Sequence, residues 1–372
     1  MRNKRLMGNI DFILGGTFYI INSCVIINFL MTTKFQINDP SLESQWRAII
    51  LFGKNSATYK FAFAKSLLEL VEKEKTKITL DELAIPFSNS IIEHLKISDK
   101  QGSSTSSKFL EGCRSYIKGG ISQSDLYLLT AKEGFKYVVD AFQNVNGRII
   151  PNPFYEKNYN KSKREIVITD HLLKTKELYQ FRNFEQEVDA RWRLVETAWN
   201  LQINPALLEV KHDEEKSTFF IENNLMRRVD ITSVRDSLNG YQKGKCFYSF
   251  QDISICKKDY NICEVDHFLP HINKMYHSNI KVNINGVWNL VLADSKINLN
   301  KKARIPEKRY LERLFNRNEF YIESRHPLAE TIINQTGHTT EMRRKFLETQ
   351  YNLALSLSIQ QWKPEFELKG TF

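Results

Sequence analysis

Between residues 246 and 302 the chain carries two short β-prone stretches, around 262–269 and at 288–293, parted by a loop and followed by a lysine-rich helical segment. A strand alternates its side chains with period two, and a helix returns one face every three to four residues. This order therefore folds as a hairpin followed by a helix, and it brings three distant polar positions to one point. Asp266 and His267 end the first strand, Asn289 starts the second element and Asn298 opens the helix. A lone Asp-His pair is ordinarily a surface pair or a satisfied core histidine. Here the pair precedes Phe-Leu-Pro, and Asn289-Leu-Val-Leu-Ala and a second asparagine nine positions on complete a far more specific pattern.

The Asp266-His267 dipeptide and the Asn289-to-Asn298 step resemble the HNH family of nucleases, position by position, over roughly residues 226–320. That resemblance implies a ββα-metal fold and the hydrolysis of DNA phosphodiester bonds. Such hydrolysis needs an activated water and charge stabilisation on the phosphate and the leaving oxygen. The resemblance implies His267 as general base, a role imidazole suits near neutral pH. It implies Asp266 and Asn298 as oxygen ligands of one Mg²⁺ or Mn²⁺, and Asn289 as the residue that holds the loop and orients His267. Lys296, Lys301, Lys302 and Arg304, on or just after the helix, would meet the DNA backbone. Asn300 is the rival to Asn298, and His271 and His277 lie in the loop without an assigned role. The stretches FEQEVDARWRLVETAW and GYQKGKCFYSF are similar to HNH proteins of bacterial restriction or antiphage loci.

One departure matters. Many members of the family bind a structural zinc through two CxxC pairs. Here Ser249 stands where the partner of Cys246 would be, and Asp294 and Ile297 stand at the later pair. Four thiolates at tetrahedral spacing are absent, so no structural zinc is expected. Packing from Phe247, Tyr248, Phe268, Trp288 and flanking helices must hold the unit instead.

The rest of the chain reads as mostly helical. Residues 43–74 form two helices broken near Gly53-Lys54-Asn55, and Thr79 or Asp81 caps a third. GSSTSS at 102–107 lacks the ending of a P-loop and reads as a polar linker or helix cap. Residues 125–143 are helical, 144–170 turn to short β pieces and 184–201 form an amphipathic helix with Trp192 and Trp199 facing the core. Residues 207–222 read as a hairpin and 307–372 as helices again. The expected class is thus α+β: a mainly helical domain at 31–225, a ββα-metal HNH nuclease domain at 226–320 and C-terminal helices at 321–372.

The sequence of 372 residues carries 53 Lys and Arg against 43 Asp and Glu, a net charge of +10 that favours an anionic partner, DNA before membrane. Five scattered cysteines with no CxxC pair fit a reducing cytoplasm rather than a disulfide scaffold. Residues 10–31 run almost without charge after a basic start. They read as a membrane segment, as a packed strand-like piece, or, the reading preferred here, as an extension upstream of a soluble domain opening at Met31. A single site of this type cuts one strand, so double-strand cleavage calls for a homodimer or two successive nicks. The competing reading is a gated or non-catalytic nucleic-acid-binding module that acts only with a partner protein of a defence system.

Overall fold

The computed structural model describes residues 33–372 except 54–55, 103–105, 161–162, 201–210, 214, 217, 223–227, 271–281, 325–326 and 358–359. The apolar run at 10–31, His271, His277, His326 and the expected boundary at 223–228 (bar Arg228) lie outside the described residues, as does part of the 102–107 segment.

The first part is helical: α1 Lys34–Asn38, α2 Leu42–Phe52, α3 Tyr59–Glu72, β1 Lys77–Thr79, α4 Leu80–Leu95, α5 Lys108–Ile117, α6 Gln123–Leu129 and α7 Val138–Ala141. Ser41 caps α2 by accepting from the Ser44 amide, and the helix stops at Gly53. Its last carbonyls are taken by a side chain. The buried Lys60 amine donates to Ile49 O, Ile50 O and Gly53 O at 3.3, 3.1 and 2.8 Å, and burial pulls its pKa well below the ordinary lysine value. Thr79 is the cap of α4: it forms a reciprocal capping box with Glu82.

Short strands follow: β2 Asn144–Val145, β3 Arg148–Ile149, β4 Tyr155–Tyr159 and β5 Arg164–Ile168, with sheet order β1-β5-β4, all antiparallel. Then come α8 Asp170–Lys176 and the long α9 Phe181–Asn200. Beyond it lie β6 Lys211–Asp213, β7 Thr218–Glu222 and β8 Arg228–Ser233, a three-stranded antiparallel sheet that exceeds the expected hairpin by one strand. After α10 Val234–Asn239 come β9 Cys263–His267, β10 Leu290–Asp294 and α11 Ser295–Lys301. The chain closes with β11 Ile305–Pro306, α12 Arg309–Glu323, α13 Pro327–Thr336, α14 Thr340–Ser356 and β12 Gln361–Trp362. The fold is α+β. The helix expected to run through Trp362 ends at Ser356, because Gln361–Trp362 pairs in parallel with β11 instead.

One contiguous apolar cluster runs from Phe35 to Phe372, across the divisions expected at 225 and 320. Helix α9 is its spine, and Trp192 is fully buried on it. The Trp192 ring stacks on His94 of α4 at 3.5 Å and 4°. The imidazole is gripped by two carboxylates, Nδ1 on Glu196 at 2.8 Å and Nε2 on Asp189 at 3.1 Å. Burial works against a charged ring here, but the hydrogen bonds and charges of Asp189 and Glu196 outweigh it and raise the His94 pKa. A raised histidine contributes stability that is full below its unfolded pKa of about 6.5 and is lost as pH rises through the folded value. Replacing His94 by Leu leaves buried Glu196 without its cation and should cost about 3–5 kcal/mol at pH 6. The stability difference between wild type and His94→Leu, measured by urea unfolding, should shrink as pH is raised; a difference independent of pH between 5 and 9 would refute the charged ring.

Candidate functional site

Strands β9 and β10 pair antiparallel with His267 opposite Leu290, Asp266 opposite Val291 and Cys263 opposite Asp294. The Leu-Val-Leu-Ala of β10 is buried on both faces, as a strand inside the core is. Helix α11 starts directly at the strand end because Asp294 caps it, accepting from the Lys296 and Ile297 amides at 2.9 and 3.4 Å. The order is strand, strand, helix, and α11 packs on both strands.

Asn289, fully buried, ties down the chain on both sides of the connecting loop. Its side-chain oxygen accepts from Leu269 N at 2.8 Å, and its amide donates to Leu269 O and Ile284 O, both at 2.9 Å. Its backbone oxygen accepts from Phe268 N, the residue after His267. His267 itself is half-buried at the end of β9.

Glu264 and Asp266 share the other face of β9, and Asn298 and Lys301, three residues apart, share one face of α11. They meet as two rungs. The Asn298 amide donates to Glu264 Oε2 at 2.8 Å on the outside. Inside, the Lys301 ammonium lies 3.1 and 3.0 Å from the two Asp266 oxygens and 2.8 Å from His267 O. Tyr248 donates to Asp266 Oδ2 at 2.6 Å. Burial raises the Asp266 pKa, and the Lys301 charge and the Tyr248 and Lys301 hydrogen bonds only partly restrain it. Burial and the Asp266 charge push the Tyr248 phenol well above its ordinary value.

This changes the expected roles of several residues. Lys301 is 0% exposed and bound to Asp266, so in this arrangement it is not a contact for the DNA backbone. Arg304 is half-buried and folds back on the end of α11, donating to Lys301 O at 3.2 Å and to Asn300. Asn300 also accepts from Trp362 Nε1 at 2.7 Å, which turns it from the site. Lys296 and Lys302 are exposed. They line a shallow groove of about 470 Å³ with Glu264, Ser295, Asn298 and Leu299.

As arranged, these side chains do not form a divalent-ion site. Asp266 holds an ammonium on both oxygens, and Asn298 meets Glu264 rather than Asp266. Among the described residues no group of three or more His, Cys, Asp or Glu converges on a metal position. The donors are hard oxygens, right in kind for Mg²⁺ or Mn²⁺, but the cation at Asp266 is a lysine. Glu264 is the residue sequence reasoning missed, findable as the strand neighbour two before Asp266; Lys301 was named for the DNA backbone, and the structure places it on Asp266 instead.

At the expected zinc positions the Cys246 sulfur accepts from the Asp294 amide at 3.4 Å. Gln242 pairs with the β10 backbone like a strand, accepting from Leu292 N at 2.8 Å and donating to Leu292 O at 3.0 Å. No protein-family model, curated protein or solved structure matches this chain.

Two outcomes follow from this geometry. Asn289→Ala strands buried backbone groups of Leu269 and Ile284 and should cost about 3 kcal/mol in denaturant unfolding. Lys302 sits at φ 53°, a region that favours glycine. Lys302→Gly should therefore melt no lower than wild type, and a lower melting temperature would refute the strain.

Proposed function

We propose that this chain is an endonuclease that hydrolyses DNA phosphodiester bonds at the β9–β10–α11 unit. The observation that carries this reading is the pairing of β9 with β10 under α11, with the Asp266-His267 step at the strand end and Asn289 fastening the chain just beyond it. In this reading His267 takes the proton from the attacking water, which adds to phosphorus as the bond to the leaving oxygen breaks. Lys296 and Lys302 line the groove beside Glu264, on the other face of β9 from His267, and would neutralise phosphates that flank the cut. One Mg²⁺ or Mn²⁺ on Asp266 and Asn298 remains the proposed cofactor, and it requires Lys301 to give up Asp266. A role in bacterial restriction or antiphage defence, in the cytoplasm, rests on the resemblance alone. No helix among the described residues is long and apolar enough to cross a membrane.

The Lys301–Asp266 ion pair favours a second reading, a gated nuclease that stays closed until a partner or the DNA itself frees the carboxylate.

The full chain, incubated with supercoiled plasmid and Mg²⁺ or Mn²⁺, should nick it. His267→Ala should lower the rate by about 10²–10⁴-fold, and EDTA should abolish it. Cleavage by His267→Ala at the wild-type rate would sink the assignment of the base. Lys301→Met separates the two readings: in a gated site it cuts at lower metal concentration than wild type, and in an open one it does not.

A further inference from the structure

The loop just before β9 carries Lys257, Lys258 and Tyr260, all exposed, and Tyr260 is 93% exposed. An aromatic ring so fully in water buries almost none of its surface against the described residues. A mobile loop would explain it cheaply, but this loop is fastened on both sides of the ring. Asp259 accepts from Ser254 Oγ at 2.6 Å and from Arg182 Nη1 at 3.2 Å. Asn261 is buried, donating to Asp252 O at 3.0 Å and accepting from the Tyr179 hydroxyl. The Cys256 amide donates to Ser254 Oγ at 3.0 Å. Tyr260 is thus held out between two anchored neighbours, Asp259 and Asn261.

Its placement is equally constrained. Ile262 O, two residues on, accepts from Ser295 Oγ at 2.8 Å, and Cys263 pairs with Asp294, so the loop abuts the start of α11. The same helix presents Lys296, Lys302 and Leu299, the last 73% exposed, along the groove. Lys257 and Lys258 precede the ring in the same loop, Arg182 pairs with Asp259, and Lys296 and Lys302 line the groove at α11 together with Glu264. Lysines meet phosphates without regard to sequence, and an exposed ring close to them in the chain offers a face on which a base can stack. Stacking needs a base that is not already stacked on both sides, which a continuous duplex does not supply.

We infer that Tyr260, with Lys257 and Lys258, forms a stacking platform for an unpaired base, and that the preferred substrate of the proposed nuclease carries a single-stranded segment beside the cut. This rests on the nuclease reading for the cut, but not for the binding.

The test measures binding of the full chain in EDTA by fluorescence anisotropy, with labelled oligothymidylate and a labelled blunt duplex as probes. Wild type should bind the single strand more tightly. Tyr260→Ala should weaken that binding by about ten-fold and leave the duplex within about two-fold, whereas Tyr260→Phe, which keeps the ring, should match wild type. Lys257→Glu with Lys258→Glu should weaken both probes. Equal binding by Tyr260→Ala and wild type, an equal loss in Tyr260→Phe, tighter binding of the duplex, or no binding of either probe would each overturn the platform. Tyr260 touches so little of the fold that unchanged melting of its variants is expected and checks that binding alone is read. The outcomes separate from those of the nicking assay: a chain that nicks plasmid but ignores Tyr260→Ala loses only this inference, and one that binds single strands through Tyr260 without nicking loses only the nuclease.

Discussion

A buried ion pair holds α2 against the long helix α9 in one geometry. Arg47 of α2 meets Glu187 of α9 with two parallel bonds, Nε to Oε2 and Nη2 to Oε1, both 2.8 Å, and neither side chain sees water. Burial opposes the guanidinium charge, yet the Glu187 carboxylate more than restores it and raises the Arg47 pKa. Such a pair adds little net stability over an apolar one, but losing either partner strands a charge. Its value is therefore directional: it admits one arrangement. From it the network runs outward. Glu187 accepts from Asn239 at the end of α10, and Arg47 donates to Gln180 at 3.0 Å. Gln180 in turn donates to Gly244 O at 2.9 Å and to Ile253 O at 3.2 Å, in the segment that leads into β9. Gly244 has φ 69°, and a Cβ there would overlap the Gln180 amide, so both the backbone and the close approach demand glycine.

That chain of contacts reaches the two-stranded hairpin of β9 and β10. Small units of this size need reinforcement. Here it comes from side chains that bond to backbone. Arg317, fully buried, donates to the carbonyls of Val287, Trp288 and Leu290, and burial lowers its pKa to about 10. Arg313 donates to Phe247 O and Tyr248 O at 2.7 and 3.0 Å. The C-terminal tail closes the underside, with Phe372 stacked on Phe247 and its carbonyl accepting from Asn38. Gln242, Arg313 and Arg317 thus brace the hairpin by satisfying backbone groups of the segments around it.

Sequence periodicity located what depends on near neighbours. The break after Phe52, the cap at Thr79, the buried face of α9 and the strand-strand-helix order at 263–301 follow from residues within one or two turns of each other. The holding role of Asn289 came from the resemblance rather than from periodicity. What it did not announce are the pairings made in space. Asp266 and Lys301 lie 35 residues apart, and adjacent Lys301 and Lys302 differ only in what the fold brings to them, one fully buried and the other exposed. The parallel pairing of β11 with β12 overrode the helical texture at 361–362 because the tail finds a strand edge there. Tyr248 gives no signal of its own; its hydroxyl matters only because the fold sets Asp266 beside it.

The Asp266–Lys301 pair therefore has two consequences that cannot be separated. An unpaired carboxylate at 8% exposure would cost several kcal/mol, so without a metal the lysine is what lets β9 and α11 pack. The same contact places a cation on both oxygens that a divalent ion would use. Any ion that takes Asp266 must also compensate for a displaced ammonium, which loses Asp266 and His267 O together. Stability of the hairpin and access to its carboxylate are thus opposed through a single residue, and whatever relieves Lys301, whether phosphate charge arriving at the groove or a shift of α11, acts on both at once.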